Sequence, residues 1–200
     1  GGAMPPLTGA PRSMSPKPED VPEEFRKTIG NLTKEKSIPA LKNFLEEGGQ
    51  IVTIGTSTSL AYHLNLPVRS ALTEIVNGNE RNLPNEKFYI PGSLMQVTMD
   101  KDAKAAWGMK QLADVYFDDS PVFTINPDAQ TKGTIKPLAW FASDKTLRSG
   151  WAWGQTYLKD GVAAFSASVG KGTLYAFGPE ITFRAQTHGT FKLVFNQLYK

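Results

Sequence analysis

The 200-residue sequence contains no cysteine and only two histidines, His63 and His188. The lack of cysteine excludes disulfides, thiolate zinc sites and a cysteine nucleophile. The two histidines are far apart and no His-Glu-x-x-His sequence is present, so we expect no metal site and no cofactor in this chain. The net charge is only +3 and lysine and arginine form no run, which argues against nucleic acid as a partner. No apolar stretch approaches the roughly 18 residues of a membrane span.

Prolines concentrate at the start of the chain, where residues 1–22 also contain glycine and serine but few apolar side chains. Such a segment cannot bury a core, so residues 1–30 are predicted to form a flexible arm or loop. Hydrophobic residues make up 40% of the whole chain, which is enough for one domain over residues 31–200. The chain opens on Gly1-Gly2-Ala3 without an initiator methionine, and we expect the domain to be partial at its N-terminus.

The first long helix is predicted over residues 37–47. Apolar residues recur there at the spacing of one helical face: Ile38, Leu41, Phe44 and Leu45. Ser37 is suited to cap this helix at its start, and Gly48-Gly49 is suited to end it in the left-handed conformation that glycine tolerates.

A buried strand is predicted directly after this helix, at Gln50–Ile54. The sharp turn Gly55–Ser59 then leads into a short helix that ends near Leu64. Helix, strand, turn and helix together form the unit of a layered α/β domain, whose functional edge lies past the carboxyl end of the strand. Residues 67–76 are predicted to form a loop that can include a helical turn, and residues 77–85 a surface loop.

The second half of the chain is predicted to be rich in strands. They are expected at residues 93–99, 113–117, 121–125, 136–141, 161–169 and 173–177. Gly170-Lys171-Gly172, between the last two strands, predicts a hairpin turn. Apolar residues at helical spacing over residues 191–199 predict a closing helix that packs on the sheet. The fold class is therefore α/β with a sheet-rich second half.

Ser57 lies in the turn between the buried strand and the next helix, in the sequence Gly55-x-Ser57-x-Ser59. A turn of this kind can present a nucleophile, and the next backbone N–H can stabilise an oxyanion. A catalytic serine also needs a base within hydrogen-bond reach. The usual elbow has glycine at the second flanking position, where this chain has Ser59. The alternative is that Ser57 or Thr56 caps the next helix, which is the more frequent role.

Glu180, Arg184 and His188 follow the end of a predicted strand and precede the last helix, so they are expected near one edge of the sheet. Glu180 and His188 are candidates for catalysis together with Ser57, as is His63 on the short helix after the turn, whereas Arg184 is a candidate for binding. The more frequent structural roles differ for each residue. Arg184 would pair with a carboxylate, His188 would cap the last helix, and His63 would be buried and hydrogen-bonded.

Trp151 and Trp153 alternate in sequence, so their side chains would lie on the same side of an extended chain. With Arg148 and Gln155 nearby, the pair could stack on a sugar or hold a peptide. More often, such residues belong to a core or to a domain interface. Exposed, coplanar rings would favour a sugar-binding role.

Several long segments resemble one family. They are GGQIVTIGTSTSLAYHLNLPV, EKFYIPGSL, WGM, ADVYFDDSPVF, LRSGWAWGQTYL and GKGTLYAFGPEITFRAQTHGTFKLVFN. These segments cover most of residues 30–200. They are similar to the C-terminal region of bacterial M14 (zinc carboxypeptidase-like) proteins, a region that itself resembles a class I glutamine-amidotransferase-like domain. The opening glycines resemble the glycine-rich loop after an early strand of that fold, which would place further strands upstream.

This resemblance implies a flavodoxin-like, three-layer α/β fold with helices on both faces of the sheet, in a secreted or periplasmic protein. It implies zinc only in a peptidase domain outside this chain. Ser57 stands where an amidotransferase has its nucleophilic cysteine, and Gly178 stands two residues before Glu180, where such enzymes have a histidine. Glutamine hydrolysis is therefore not expected.

Three functions remain open from the sequence. The first is a non-catalytic accessory domain that supports the neighbouring peptidase domain, mediates oligomerisation, or helps to hold peptide or glycan. The second is a serine hydrolase or amidase that uses Ser57 with His188 or His63. The third is a sugar- or peptide-binding module built on Trp151 and Trp153, with Arg148 and Arg184 as further binding candidates.

Overall fold

The computed structural model describes residues 17–29 and 32–199. The five α-helices within these ranges are α1 (Glu23–Arg26), α2 (Ser37–Glu46), α3 (Leu60–His63), α4 (Pro127–Thr131) and α5 (Phe191–Leu198). The strands are β1 (Gln50–Ile54), β2 (Val68–Ser70), β3 (Thr73–Val76), β4 (Asn79–Asn82), β5 (Ser93–Met99), β6 (Leu112–Phe117), β7 (Phe123–Ile125), β8 (Ile135–Trp140), β9 (Leu147–Ser149), β10 (Val162–Val169) and β11 (Gly172–Phe177). Residues 1–16 and residue 30 of the predicted arm lie outside the described ranges.

One mixed sheet forms the centre of the protein, with the strand order β1-β11-β10-β8-β5-β6. In addition, β7 pairs with β10 and β2, and β9 pairs with β5. Only β1 and β11 pair in parallel, while the other pairs in this sheet are antiparallel. β1 and β6, the first and last strands in this order, are the two outer strands of the principal path.

Apolar side chains cover both faces of this sheet, because successive residues of a strand point to opposite sides. On β11, Leu174 and Ala176 belong to one core and Phe177 to the other. Leu45 of α2 packs into the first core, and Leu193 of α5 packs into the second. The predicted α/β class, with three layers and a strand-rich second half, is therefore confirmed.

The strand predictions in the second half are confirmed to within one or two residues at each end. Gly170 and Lys171 form the two-residue turn between β10 and β11, where Val169 pairs with Gly172. The closing helix is also present as α5. Within the described ranges, no helix is both long and apolar enough to cross a membrane.

The prediction of loops over residues 67–85 was wrong. This segment contains β2 and the hairpin β3–β4, in which Val76 pairs with Asn79 across the turn Asn77-Gly78. Both turn residues have positive φ, 51° and 77°. Asn-Gly is the preferred pair for such a two-residue hairpin turn, so the sequence did contain the signal.

Two details of helix α2 also differ from the prediction. Phe44 is 51% exposed rather than buried, because its ring lies at the end of the helix against Gly49. Ser37 lies inside the first turn and its Oγ accepts the backbone N–H of Thr33 at 3.0 Å. Thr33 Oγ1 in turn accepts the N–H of Lys36 at 3.2 Å, and the residue at the N-cap position, Lys36, forms no side-chain cap hydrogen bond, so the cap expected of Ser37 is absent.

Candidate functional site

Four strands end at the same edge of the sheet. β1 and β11 run in parallel. Each later pair on the path from β11 to β6 is antiparallel, so every second strand, β8 and then β6, runs in the same direction as β11. The residues that follow β1, β11 and β6 are Gly55, Gly178 and Asp118. This carboxyl edge contains the predicted nucleophile turn.

Ser57 forms two hydrogen bonds with the strand residue that precedes its turn. Its hydroxyl donates to the carbonyl oxygen of Ile54 at 2.7 Å, and it accepts the Ile54 backbone N–H at 2.8 Å. Thr58 Oγ1 similarly donates to the carbonyl of Gly55 at 2.7 Å. These bonds close a 3-10 turn over Gly55–Ser59. Ser57 is solvent-exposed, but its hydroxyl is engaged by its own backbone.

The carboxyl group of Glu180 lies directly over Gly55. Gly55 has φ of +59°, and a Cβ at this position would overlap Glu180 Oε1. Glycine is therefore required here both for the backbone conformation and for the close approach. Burial raises the pKa of Glu180 above its usual range, and the negative charge of Asp118 raises it further. Sequence reasoning correctly placed Glu180 near Ser57's turn.

The turn after β6 places two more carboxylates at this edge. The Asp118 backbone N–H donates to Ser120 Oγ at 3.1 Å, and the Asp119 N–H donates to the carbonyl of Ile90 at 3.0 Å. Burial raises the pKa of Asp119. Across residues 17–29 and 32–199, no group of three or more acidic or histidine side chains is arranged to hold a metal ion.

The remaining candidates for catalysis, His188 and His63, and the binding candidate Arg184 occupy separate positions. The Arg184 guanidinium lies 5.2 Å from the ring centroid of Phe183, and no carboxylate pairs with it in the described part of the chain, so the expected ion pair was wrong. His188 is exposed, with its ring 5.7 Å from that of Phe191. No side chain caps α5, so the capping role expected for His188 was also wrong. His63 is half-buried at the end of α3.

A second candidate site lies on the segment after β9. The indole rings of Trp151 and Trp153 are nearly parallel, at 11°, with centroids 6.5 Å apart. Each tryptophan is 53% exposed, which places both at the surface rather than in a core. Tyr89 meets Trp151 edge-on at 5.9 Å. We call Tyr89, Trp151 and Trp153 the aromatic surface.

Hydrogen bonds from distant parts of the chain fix this surface. Ser93 Oγ accepts the backbone N–H of Trp151 at 2.9 Å and donates to its carbonyl at 2.6 Å. Tyr89 and Trp153 exchange two backbone hydrogen bonds of 3.0 Å. Trp153 Nε1 donates to the carbonyl of Glu86 at 2.7 Å. The backbone of both tryptophans is thus held in place, and the indole N–H of Trp153 is already engaged by the chain.

Sequence reasoning missed the supporting residues Tyr89, Ser93 and Glu86. They lie 58 or more residues before the tryptophans they hold, and no local pattern connects them. Arg148, a predicted binding residue, forms an ion pair with Asp114 at 3.4 Å. Gln155 Oε1 accepts the backbone N–H groups of Thr146 and Leu147, so it stabilises the loop instead of facing a ligand.

No family model matches this chain, and no curated protein matches it. It is similar to part of a beta-galactosidase from Bacillus circulans sp. alkalophilus, with a TM-score of 0.48, 12% identity, and coverage of 82% of this chain and 20% of that chain. It is also similar to a GMP synthase component from Thermoplasma acidophilum, with a TM-score of 0.49, 12% identity, and coverage of 82% and 63%.

A ThuA-like protein from Bacteroides uniformis is similar as well, with a TM-score of 0.45, 10% identity, and coverage of 81% of this chain and 62% of that chain. The chain thus spans about a fifth of the beta-galactosidase and less than two thirds of the other two proteins.

Proposed function

We propose that this chain is a non-catalytic binding domain that holds a neutral glycan on its aromatic surface. One observation carries the proposal: Trp151 and Trp153 present two nearly parallel, half-exposed rings on a support that is already fixed. Apolar ring area that a ligand covers is removed from water, which contributes about 25 cal/mol for each Å². Because the rings are held before binding, little conformational entropy is lost when the ligand binds.

The charges beside the aromatic surface favour a neutral ligand. Lys87, whose carbonyl lies against Gly154, forms an ion pair with Glu74, and Arg148 is paired with Asp114. Both cations therefore already have a carboxylate partner. The apolar face of a sugar ring, which stacks on aromatic rings without requiring a charge, fits this surface.

The resemblance of the segments between residues 30 and 200 to M14 proteins supports a finer form of this proposal. In that form, the domain accompanies a zinc carboxypeptidase-like domain of the same protein, secreted or periplasmic, and supports its action by holding material near it. The zinc would belong to that neighbouring domain. The sequence segments quoted above are the support for this part of the proposal.

The hydrolase alternative receives less support from the geometry. Both hydrogen bonds of the Ser57 hydroxyl go to Ile54, and catalysis would require the hydroxyl to leave them and reach a base. Reaction with a fluorophosphonate probe tests this alternative. Labelling that disappears in Ser57→Ala would favour the hydrolase, and no labelling of folded protein would favour a binding domain.

Isothermal titration calorimetry with cellotetraose and chitotetraose tests the glycan proposal. We expect binding by the wild-type chain and at least about a tenfold weaker affinity in the double variant Trp151→Ala/Trp153→Ala, equivalent to roughly 1.4 kcal/mol. Trp107→Ala is the matched control, because Trp107 is 77% exposed but lies outside the aromatic surface. Equal loss in the control, or no binding of either oligosaccharide by the wild-type chain, would count against the proposal.

A further inference from the structure

The outer strand β6 has unused hydrogen-bonding groups along its free side. β6 pairs only with β5 in the described part of the chain. The carbonyl of Tyr116 points away from β5, because it accepts the backbone N–H of Glu180 at 3.0 Å. Backbone groups alternate in direction along a strand, so those of Leu112 and Asp114 point the same way as those of Tyr116. No other backbone group of the described chain bonds to them on that side.

A groove of about 380 Å³ runs beside this free side of β6. The loop Gly108–Lys110 and the segment from Gln186 to Lys192 form its walls. Leu112 and Ala113 of β6 and Leu94 of the neighbouring strand β5 add apolar residues to its lining. Tyr116, whose carbonyl the Glu180 amide already occupies, does not line the groove.

Two lysines stand at the end of the groove near the start of β6. Lys110 and Lys192 both line it, and neither has a carboxylate partner within residues 17–29 and 32–199. Lys192 Nζ donates to the carbonyl of Gly108 at 2.8 Å. The one carboxylate in the groove, Asp114, is paired with Arg148. The groove therefore presents uncompensated positive charge at one end.

We infer that this groove binds a short, extended peptide that adds to β6 as an antiparallel strand and places a carboxylate between Lys110 and Lys192. Strand addition would satisfy the backbone groups of Leu112 and Asp114. In the antiparallel direction, the C-terminal end of the peptide lies beside the start of β6, where the lysines are. The carboxylate is either the peptide's C-terminus or an acidic side chain. This site is separate from the aromatic surface and does not depend on glycan binding.

NMR titration of ¹⁵N-labelled protein with the tetrapeptide acetyl-Val-Thr-Val-Asp tests the inference. We expect the largest amide shifts at Leu112 and Asp114, which would receive the new hydrogen bonds. The variant Lys110→Gln should weaken binding at least about fivefold, while Lys132→Gln, which removes an exposed lysine near α4, should leave it unchanged. Leu112→Pro should abolish binding, since proline is tolerated on an outer strand but lacks the N–H.

Three further peptides distinguish the source of the carboxylate. The C-terminal amide of acetyl-Val-Thr-Val-Asp keeps only the side-chain carboxylate, the free acid acetyl-Val-Thr-Val-Asn keeps only the terminal carboxylate, and acetyl-Val-Thr-Val-Lys amide carries neither. We expect the lysine peptide amide to bind at least tenfold more weakly than the first peptide. Shifts that map to Trp151 and Trp153 instead of β6, equal binding of all four peptides, or no effect of both Lys110→Gln and Leu112→Pro would overturn the inference.

Discussion

The aromatic surface and the carboxyl edge both expose candidate functional side chains. They differ in whether the candidate side chain itself forms the hydrogen bonds that hold the local backbone. At the carboxyl edge, the hydroxyl of Ser57, the candidate nucleophile, is itself hydrogen-bonded to the backbone of Ile54. At the aromatic surface, Ser93 binds the backbone of Trp151, and the indole rings of Trp151 and Trp153 remain about half exposed. A side chain that carries out a structural task locally is less available for a ligand. The comparison therefore favours the aromatic surface as the functional region.

The strongest test of this comparison is Gly154→Ala at the aromatic surface. Gly154 has φ of +72°, and a Cβ there would overlap the backbone carbonyl of Lys87, which cannot move aside without disturbing the Trp153 support. We expect a loss of about 3 kcal/mol in the free energy of unfolding, from left-handed strain of roughly 1–2 kcal/mol plus the overlap. Urea unfolding curves measure it.

Gly78→Ala is the control for the backbone conformation alone. Gly78 has a similar φ of +77°, but nothing lies within 4 Å of its added Cβ. Its cost should be about 1 kcal/mol, from the strain only. If both variants lose the same unfolding free energy, the backbone around Gly154 can shift to accommodate the added Cβ, and the aromatic surface is not held rigidly.

The two serines provide a second, smaller test. Ser93 is buried, so Ser93→Ala leaves the Trp151 N–H and carbonyl without a partner and should cost about 2 kcal/mol of unfolding free energy. Ser57 is exposed and water can replace its bonds, so Ser57→Ala should cost about 1 kcal/mol or less. Thermal unfolding followed by circular dichroism compares them. A larger loss from Ser57→Ala than from Ser93→Ala would mean that the carboxyl edge is held more rigidly than the aromatic surface.

The smallest expected effect is the pH dependence contributed by Glu180. Because its pKa is raised, the folded state binds this proton more tightly than the unfolded state. Its contribution to stability is therefore complete below the ordinary glutamate pKa and is lost as pH rises through the raised value. Glu180→Gln should stabilise the protein more at about pH 7 than at about pH 4.

Urea midpoints at the two pH values measure this difference, with Glu35→Gln as a control for removing an exposed carboxylate. If Glu180→Gln is equally stabilising at both pH values, or destabilising at the higher one, the carboxyl group is not held in the desolvated position over Gly55. The carboxyl group of Glu180 would then be more exposed to water than its position over Gly55 indicates.

The elements that the sequence predicted well are those with local signals. The turn at Gly170-Lys171 and the alternating strand β5 follow from neighbouring residues alone, and the Asn77-Gly78 hairpin carried an equally local signal that was passed over. Ser57 does not cap α3, which has no side-chain cap, but its bonds to Ile54 are equally local, since the two residues are three positions apart. The support of Trp151 by Ser93 joins residues 58 positions apart, and it becomes visible only once β5 and the segment after β9 are brought together.

The exposure of the tryptophans also determines how this protein will appear in fluorescence. Of the four tryptophans, Trp107, Trp151 and Trp153 are each more than half exposed and only Trp140 is half-buried, whereas the largest fully buried side chains are phenylalanines such as Phe117 and Phe165. Indoles in contact with water emit at long wavelengths even in the native protein. Unfolding should therefore shift the emission only slightly, and the intrinsic fluorescence will report what covers the surface of this protein more than whether its core is intact.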